Sequence, residues 1–192
     1  MKTVLIDLFG VACPEGHFHR NILLPMCHNA LEAQLTRDYS DLKFARLGEG
    51  EFWEKHGLEQ AEGRAGMLDR VQIDPKLREV IAYLKRKGYP LVLFSDFPKN
   101  WLDLIVDEND MRVLFDQVVA TPHWGFLKTH PRLYEEAKKQ FGDCVIVDDK
   151  LKALELAGKA GMETVWKKTI EEETSFEPDH VIRYLDELKG IL

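Results

Sequence analysis

Three cysteines in 192 residues, Cys13, Cys27 and Cys144, are odd in number, and no two stand in a CxxC spacing. That excludes a disulfide scaffold and a thiolate zinc knuckle, and the thiols read as reduced, as in a cytoplasmic protein. Long apolar runs are missing too, since no stretch approaches the ~20 residues a bilayer span needs. The N-terminal MKTVLIDLFGVAC comes nearest to a secretory signal, but Asp7 interrupts it after Val4-Leu5-Ile6. A signal core wants roughly 7–15 uninterrupted apolar residues, so no membrane partner is expected. Basic residues are in deficit: 26 Lys and Arg against 33 Asp and Glu leave a formal net charge of −7. An acidic chain argues against nucleic acid as a partner, because a phosphate backbone is held by clustered cations. No internal repeat or low-complexity segment is present, and Glu171-Glu172-Glu173 reads as a short acidic loop.

What is there is ordinary globular material, 45% hydrophobic and 31% charged. The length suffices to bury roughly 70% of the unfolded chain's surface without metal or disulfide support. Short apolar runs recur at Thr3–Asp7, Pro90–Ser95, Gln117–Ala120, Cys144–Asp148 and Glu163–Trp166. Their continuous rather than alternating apolarity suits strands buried on both faces of a parallel sheet. Helical patterns fall between them at Pro75–Lys87, Lys99–Asp107, Pro131–Phe141 and Leu151–Ala160, with a last one near Asp179–Leu188. Asp74 ahead of Pro75, and Gly88 and Gly161 after basic turns, are start and stop signals. The expected fold is α/β, a Rossmann-like parallel sheet with helices on both faces and right-handed crossovers.

One gap breaks the rhythm. Between the first strand and the Pro75 helix no strand is legible, and His17–Thr36, Tyr39–Leu47, Glu49–His56 and Gln60–Arg70 read as helices. An insertion there sits over the carboxyl end of the sheet, where open α/β sheets bind ligands. It is expected to be a small α-helical cap domain, residues 14–74, on a core of residues 1–13 and 75–192. As a lid it would exclude water and select substrate. His17, His19, Arg20 and His28 near its start are candidate substrate contacts, and a histidine there could move a proton near neutral pH. Trp53, Trp101, Trp124 and Trp166 read as packing, and Lys150 and Lys152 as solvated helix charges.

The strand exits carry the chemistry. Asp7 ends the first, Ser95-Asp96 the second and Asp148-Asp149 the fourth, while Lys128 lies in a loop leading to Pro131. In a doubly wound sheet these loops converge on one crevice. A carboxylate such as Asp7 can attack an electrophile and form an intermediate that water later cleaves. Further carboxylates beside it cannot all stay ionised without a cation. Mg²⁺ is the hard ion that suits oxygen ligands beside a phosphate. Ser95 and Lys128 would hold phosphoryl oxygens, the lysine as a point charge.

Taken in order, these segments resemble the haloacid dehalogenase (HAD) superfamily of hydrolases over nearly the whole chain. Val4-Leu5-Ile6-Asp7-Leu8-Phe9-Gly10-Val11 resembles its first motif, Leu93-Phe94-Ser95-Asp96 its second, and Lys128-Thr129-His130-Pro131-Arg132-Leu133-Tyr134 its third. Val145-Ile146-Val147-Asp148-Asp149 with Ala157-Gly158-Lys159-Ala160-Gly161-Met162 is similar to the fourth. Phe44-Ala45-Arg46-Leu47-Gly48 with Glu51-Phe52-Trp53 is similar to a pattern in the subclass whose helical cap follows the first motif. The resemblance implies Asp7 as nucleophile and Ser95, Asp96 and Lys128 as substrate-binding groups. It implies a metal held by Asp7, Asp148, Asp149 and the backbone carbonyl of Phe9.

Phe9 is also the departure. Most phosphatases of the superfamily carry a second aspartate there, the general acid for the leaving alcohol. Its dehalogenases carry an aromatic residue, since halide leaves without a proton, but they replace the metal-binding acids that Asp148-Asp149 retains. The expectation is a Mg²⁺-dependent phosphatase acting on a small anionic molecule, as a monomer or homodimer. An L-2-haloacid dehalogenase working without metal and a catalytically silent binding protein are the alternatives. A response-regulator receiver is excluded because it places its acidic pair after the first strand.

Overall fold

The computed structural model describes residues 2–27, 31–170 and 175–192. Six strands form one parallel sheet in the order β3-β2-β1-β4-β5-β6. They are β1 (Thr3–Ile6), β2 (Leu91–Ser95), β3 (Gln117–Ala120), β4 (Cys144–Asp148), β5 (Glu163–Lys167) and β6 (His180–Ile182). Four central strands are buried on both faces, so alternate residues feed two separate cores. Val4, Ile6, Leu91, Leu93, Val145 and Val147 enter one, and Leu5, Val92, Phe94, Cys144 and Ile146 the other.

Helices cover both faces for the same reason. In α5 (Leu77–Arg86) the apolar stripe Leu77, Val80, Ile81 and Leu84 follows the helical period and is buried in the first core, where α6 (Lys99–Glu108) also packs. Leu133, Tyr134 and Ala137 of α7 (Pro131–Phe141) and Leu151, Leu154 and Ala157 of α8 (Leu151–Lys159) fill the second. No helix among the described residues is long and apolar enough to cross a membrane.

Between β1 and α5 the chain is helical, as expected, but divided differently. The expected His17–Thr36 helix is a π-helical turn, His19–Leu23, running into a short α1 (Leu24–Met26) that ends at Cys27. Pro25 lies in that last turn and lacks the N–H a longer helix would need. His28 lies outside the described residues, as does the Glu171–Glu173 run. α2 (Glu32–Lys43) absorbs the start of the expected Tyr39–Leu47 helix, because Leu35, Tyr39 and Leu42 continue one buried stripe. The chain then turns at Ala45, whose φ is +53°. α3 (Glu49–Lys55) and α4 (Gln60–Arg70) lie close to their expected places.

The expected C-terminal helix at Asp179–Leu188 is replaced by β6 and a 3₁₀ turn, Leu185–Gly190. The Asp179 carboxylate accepts from the Thr164 backbone N–H and hydroxyl, both at 2.8 Å, which ties the chain beside β5 where Val181 pairs with Trp166.

An aromatic seam fixes the helical insertion over the sheet. Phe9 packs 4.8 Å from Phe18 and 5.0 Å from Phe97, and Phe18 meets Phe97 edge-on at 4.6 Å. Trp101 of α6 stacks on Tyr39 at 5.9 Å and on Trp53 at 4.9 Å. Pairs of this kind add about 0.5–1.5 kcal/mol each beyond area burial.

Glu49 supplies the polar tie. Its buried carboxylate accepts from the Trp101 indole at 2.9 Å, the Trp53 indole at 3.4 Å and Arg64 at 2.6 and 2.7 Å. Burial pushes this carboxyl up, but Arg64 and the two indoles outweigh it and hold the group below the usual glutamate range. A depressed folded-state value means stability present above the unfolded value and lost as pH falls. Glu49→Ala is expected to cost about 1–3 kcal/mol in urea unfolding at neutral pH, from the stranded indole donors. Glu49→Gln is expected to flatten the loss of stability below about pH 4, the ordinary glutamate range. An unchanged acid limb in that variant would remove Glu49 from this role.

Candidate active site

All four strand-exit loops meet at one crevice. Asp7 stands just past β1, and its backbone N–H donates to the Val147 carbonyl at 3.0 Å, locking the exit of β1 to β4. The chain turns at once through Gly10, with φ +89°. A Cβ there would lie 2.3 Å from the Asp149 carboxyl carbon, so only glycine allows the turn and the acid together. The Lys167 ammonium caps the Gly10 carbonyl at 3.1 Å.

Lys128 is the centre of the cluster. Its ammonium lies 2.7 Å from Asp7 Oδ1 and 2.7 Å from Asp148 Oδ2, with all three side chains buried. Burial pushes the lysine down, but Asp148, Asp7 and Asp96 outweigh it and raise the group above its usual range, so it stays charged. Two supports aim it. Asp96 accepts from the Lys128 backbone N–H with both oxygens, at 2.9 and 3.0 Å, and also from the Thr121 hydroxyl. Tyr134 explains the six-residue spacing: from the first turn of α7 its hydroxyl reaches back to the Lys128 carbonyl at 2.7 Å.

Asp148 is fully engaged, Oδ2 with Lys128 and Oδ1 with the Lys150 N–H at 2.8 Å. Asp149 is positioned by Trp166, whose indole donates to its carbonyl at 3.1 Å. Ligand atoms of Asp7, Asp148 and Asp149 all lie within 4.8 Å of one another. The Asp7 carboxyl is pushed up by burial and by Asp148, against the pull of Lys128 and Lys150. The Asp149 carboxyl is pushed up to about 7, first by burial and then by Asp148 and Asp7, with Lys150 opposing. Two ammonium groups thus under-neutralise three buried carboxylates, and hard oxygen donors with surplus negative charge fit a divalent cation such as Mg²⁺.

A cavity of about 400 Å³ opens above this cluster. Asp7, Phe9, Ser95, Asp96 and Lys128 line it from the sheet domain, and His17, His19 and Arg20 line it from the insertion. His19 Nε2 lies 3.3 Å from the Thr36 hydroxyl, and burial pushes the imidazole below its usual range. The four tryptophans are packing as expected, though Trp166 also holds Asp149. Lys150 and Lys152 are not merely solvated: both line the cavity, and the Lys150 ammonium lies 3.2 Å from Asp149. Sequence reasoning missed Lys43, which lines the same cavity. Its spacing of four from Tyr39, on one helix face, was the available signal.

A doubly wound sheet whose crevice holds a buried carboxylate cluster around a lysine matches the hydrolase class expected from the sequence. A sequence profile of haloacid dehalogenase-like hydrolases matches residues 1–161, and the chain belongs to that family. The glyceraldehyde 3-phosphate phosphatase of Pyrococcus furiosus is 28% identical over 130 residues, covering 62% of this chain. The match covers 53% of that relative, so the chain spans about half its length. A HAD phosphatase from Thermococcus onnurineus shares the fold at TM-score 0.73 and 22% identity, over 100% of this chain and 97% of that one. The L-2-haloacid dehalogenase of Xanthobacter autotrophicus shares it at TM-score 0.69 and 17% identity, over 100% and 98%.

Gly10 offers a direct check of the turn that seats Asp149. Gly57, at φ +78° with nothing within 4 Å of a built Cβ, is the control. Gly57→Ala is expected to cost the left-handed backbone penalty alone, about 1–2 kcal/mol. Gly10→Ala is expected to cost more, because its methyl also meets the Asp149 carboxyl. Equal losses in denaturant titrations would show that the contact does not constrain the site.

Proposed function

We propose that the protein is a Mg²⁺-dependent phosphohydrolase of a small phosphorylated molecule, working through an aspartyl-phosphate on Asp7. The observation that carries the reading is the retained acid cluster: Asp149 stands beside Asp7, surplus to what Lys128 and Lys150 neutralise. Asp7, Asp149 and the Phe9 carbonyl would hold the ion, with Asp148 at its edge. When bound, the ion supplies positive charge that screens the attacking carboxylate from the anionic substrate.

The chain's own residues do the rest. Asp7 Oδ attacks phosphorus, and Lys128 and Ser95 take the phosphoryl oxygens as charge develops on them. Asp148 and Asp96 keep Lys128 charged and aimed. Water then cleaves the acyl phosphate and frees Asp7. Residues 14–74 act as the cap over a core of residues 1–13 and 75–192, closing a cavity sized for a small molecule. The phosphatase name of the 28% identical relative supports the same class of reaction.

Phe9 keeps a second reading in view, an L-2-haloacid dehalogenase with Asp7 as nucleophile and no metal, because its ring offers no proton to a leaving group. p-Nitrophenyl phosphate separates the two, since p-nitrophenolate leaves without protonation. Hydrolysis is expected to require Mg²⁺, to stop with EDTA and to fall below detection in Asp7→Asn. Chloride release from 2-chloropropionate that is indifferent to EDTA would establish the dehalogenase. Inactivity on both substrates would leave a ligand-binding protein.

A further inference from the structure

Resting on the phosphohydrolase reading, the question is where the leaving group finds its proton. Phosphoryl transfer runs in line, so the departing oxygen lies on the far side of phosphorus from Asp7. Asp7 shares its cavity with residues of the helical insertion, which supply the candidate donors. Phe9 offers no proton, and its ring is wedged between Phe18 and Phe97. Tyr39 is pushed well above the usual phenol range by burial, then by Asp96 and Asp7. His19 is pushed down by burial and faces the Thr36 hydroxyl. Arg20 cannot release a proton.

Lys43 remains. It stands in the last turn of α2 and lines the cavity with Asp7, Ser95 and Lys128. Its ammonium lies 4.5 Å over the Tyr39 ring, which stacks on Trp101, so the stem has a fixed seat. Among the described residues it has neither a carboxylate partner nor a hydrogen bond, and its ammonium lines the same cavity as Asp7. We propose that Lys43 is the general acid that protonates the leaving alcohol, in place of the aspartate that Phe9 displaces.

The bond from Asp7 Oδ to phosphorus forms as the phosphorus–oxygen ester bond breaks. The departing electron pair stays on oxygen, which takes a proton from the Lys43 ammonium and leaves as neutral alcohol. Water then attacks the acyl phosphate, giving inorganic phosphate, and one of its protons returns through solvent to the Lys43 amine. Burial pushes Lys43 below the usual lysine range, bringing it nearer the pKa useful for this work. The charged groups facing it are Asp96 and Asp7, which draw it up, and Lys150, which pushes it down.

The test compares single-turnover product release from glycerol phosphate, a poor leaving group, with p-nitrophenyl phosphate, which needs no acid. In Lys43→Met, which keeps the stem over Tyr39, the ratio of the two rates is expected to move by about 100-fold against glycerol phosphate. Lys43→Arg keeps the charge but cannot give up a proton, and is expected to fail in the same way. Wild-type release from glycerol phosphate should fall on the alkaline side as Lys43 loses its proton, with no matching limb for p-nitrophenyl phosphate. An unchanged ratio in Lys43→Met, restoration by Lys43→Arg, or the same selective loss in His17→Asn would overturn the assignment while leaving the phosphohydrolase intact. Circular dichroism confirms that each variant is folded. A wild type that cleaves neither ester would end both readings, since no alcohol would leave.

Discussion

The Lys128 ammonium between Asp7 and Asp148 is the constraint on which the rest of the site depends. A buried lysine is stable as a cation only beside carboxylates, and carboxylates crowded at one sheet edge stay ionised only beside a cation. Each group supplies what the others require, so none can be moved alone. Asp96 and Tyr134 then act as struts: one grips the Lys128 N–H, the other its carbonyl. Gly10 acts by lacking a side chain, leaving the space that the Asp149 carboxyl occupies.

A second constraint sets what can reach that cluster. The insertion is joined to the sheet domain by rings, with Phe9, Phe97 and Trp101 meeting Phe18, Tyr39 and Trp53. Glu49 adds a polar tie across α3, α4 and α6 that apolar packing alone would not orient. Its acceptors satisfy two indole N–H groups that would otherwise be buried without partners. Phe9, Phe18, Tyr39 and Phe97 of this seam also line the cavity beside Asp7, so the packing that docks the insertion helps to shape that space.

Much of this was legible in the sequence, for a physical reason. Buried parallel strands read as continuous apolar runs, and the polar residues at their exits must converge, which brought Asp7, Ser95, Lys128, Asp148 and Asp149 to one crevice. What escaped depends on contacts distant in sequence. β6 is a short edge strand held by the Asp179 side chain on Thr164, and no periodicity announces it. The π-helical turn at His19–Leu23 has no periodicity of its own that would announce it. Lys43 and Lys150 are, in composition, ordinary surface lysines. Only the fold turns them toward a cavity.

Phe9 links the two constraints. In the resemblance to phosphatases its position belongs to a proton donor, yet here its ring is part of the seam that holds the insertion down. A carboxylate in that apolar seat would have to be buried between Phe18 and Phe97, at a cost of several kcal/mol unless it found a partner. Docking the insertion through rings and keeping an acid on the sheet side are thus competing uses of one position. With position 9 apolar, the proposed proton donor lies among the other side chains that line the cavity. Among the described residues, Lys43 in that lining has no carboxylate partner. The overall charge of −7 offers an anion no general attraction, so on the proposed reading its recognition would fall to the cations that line this cavity.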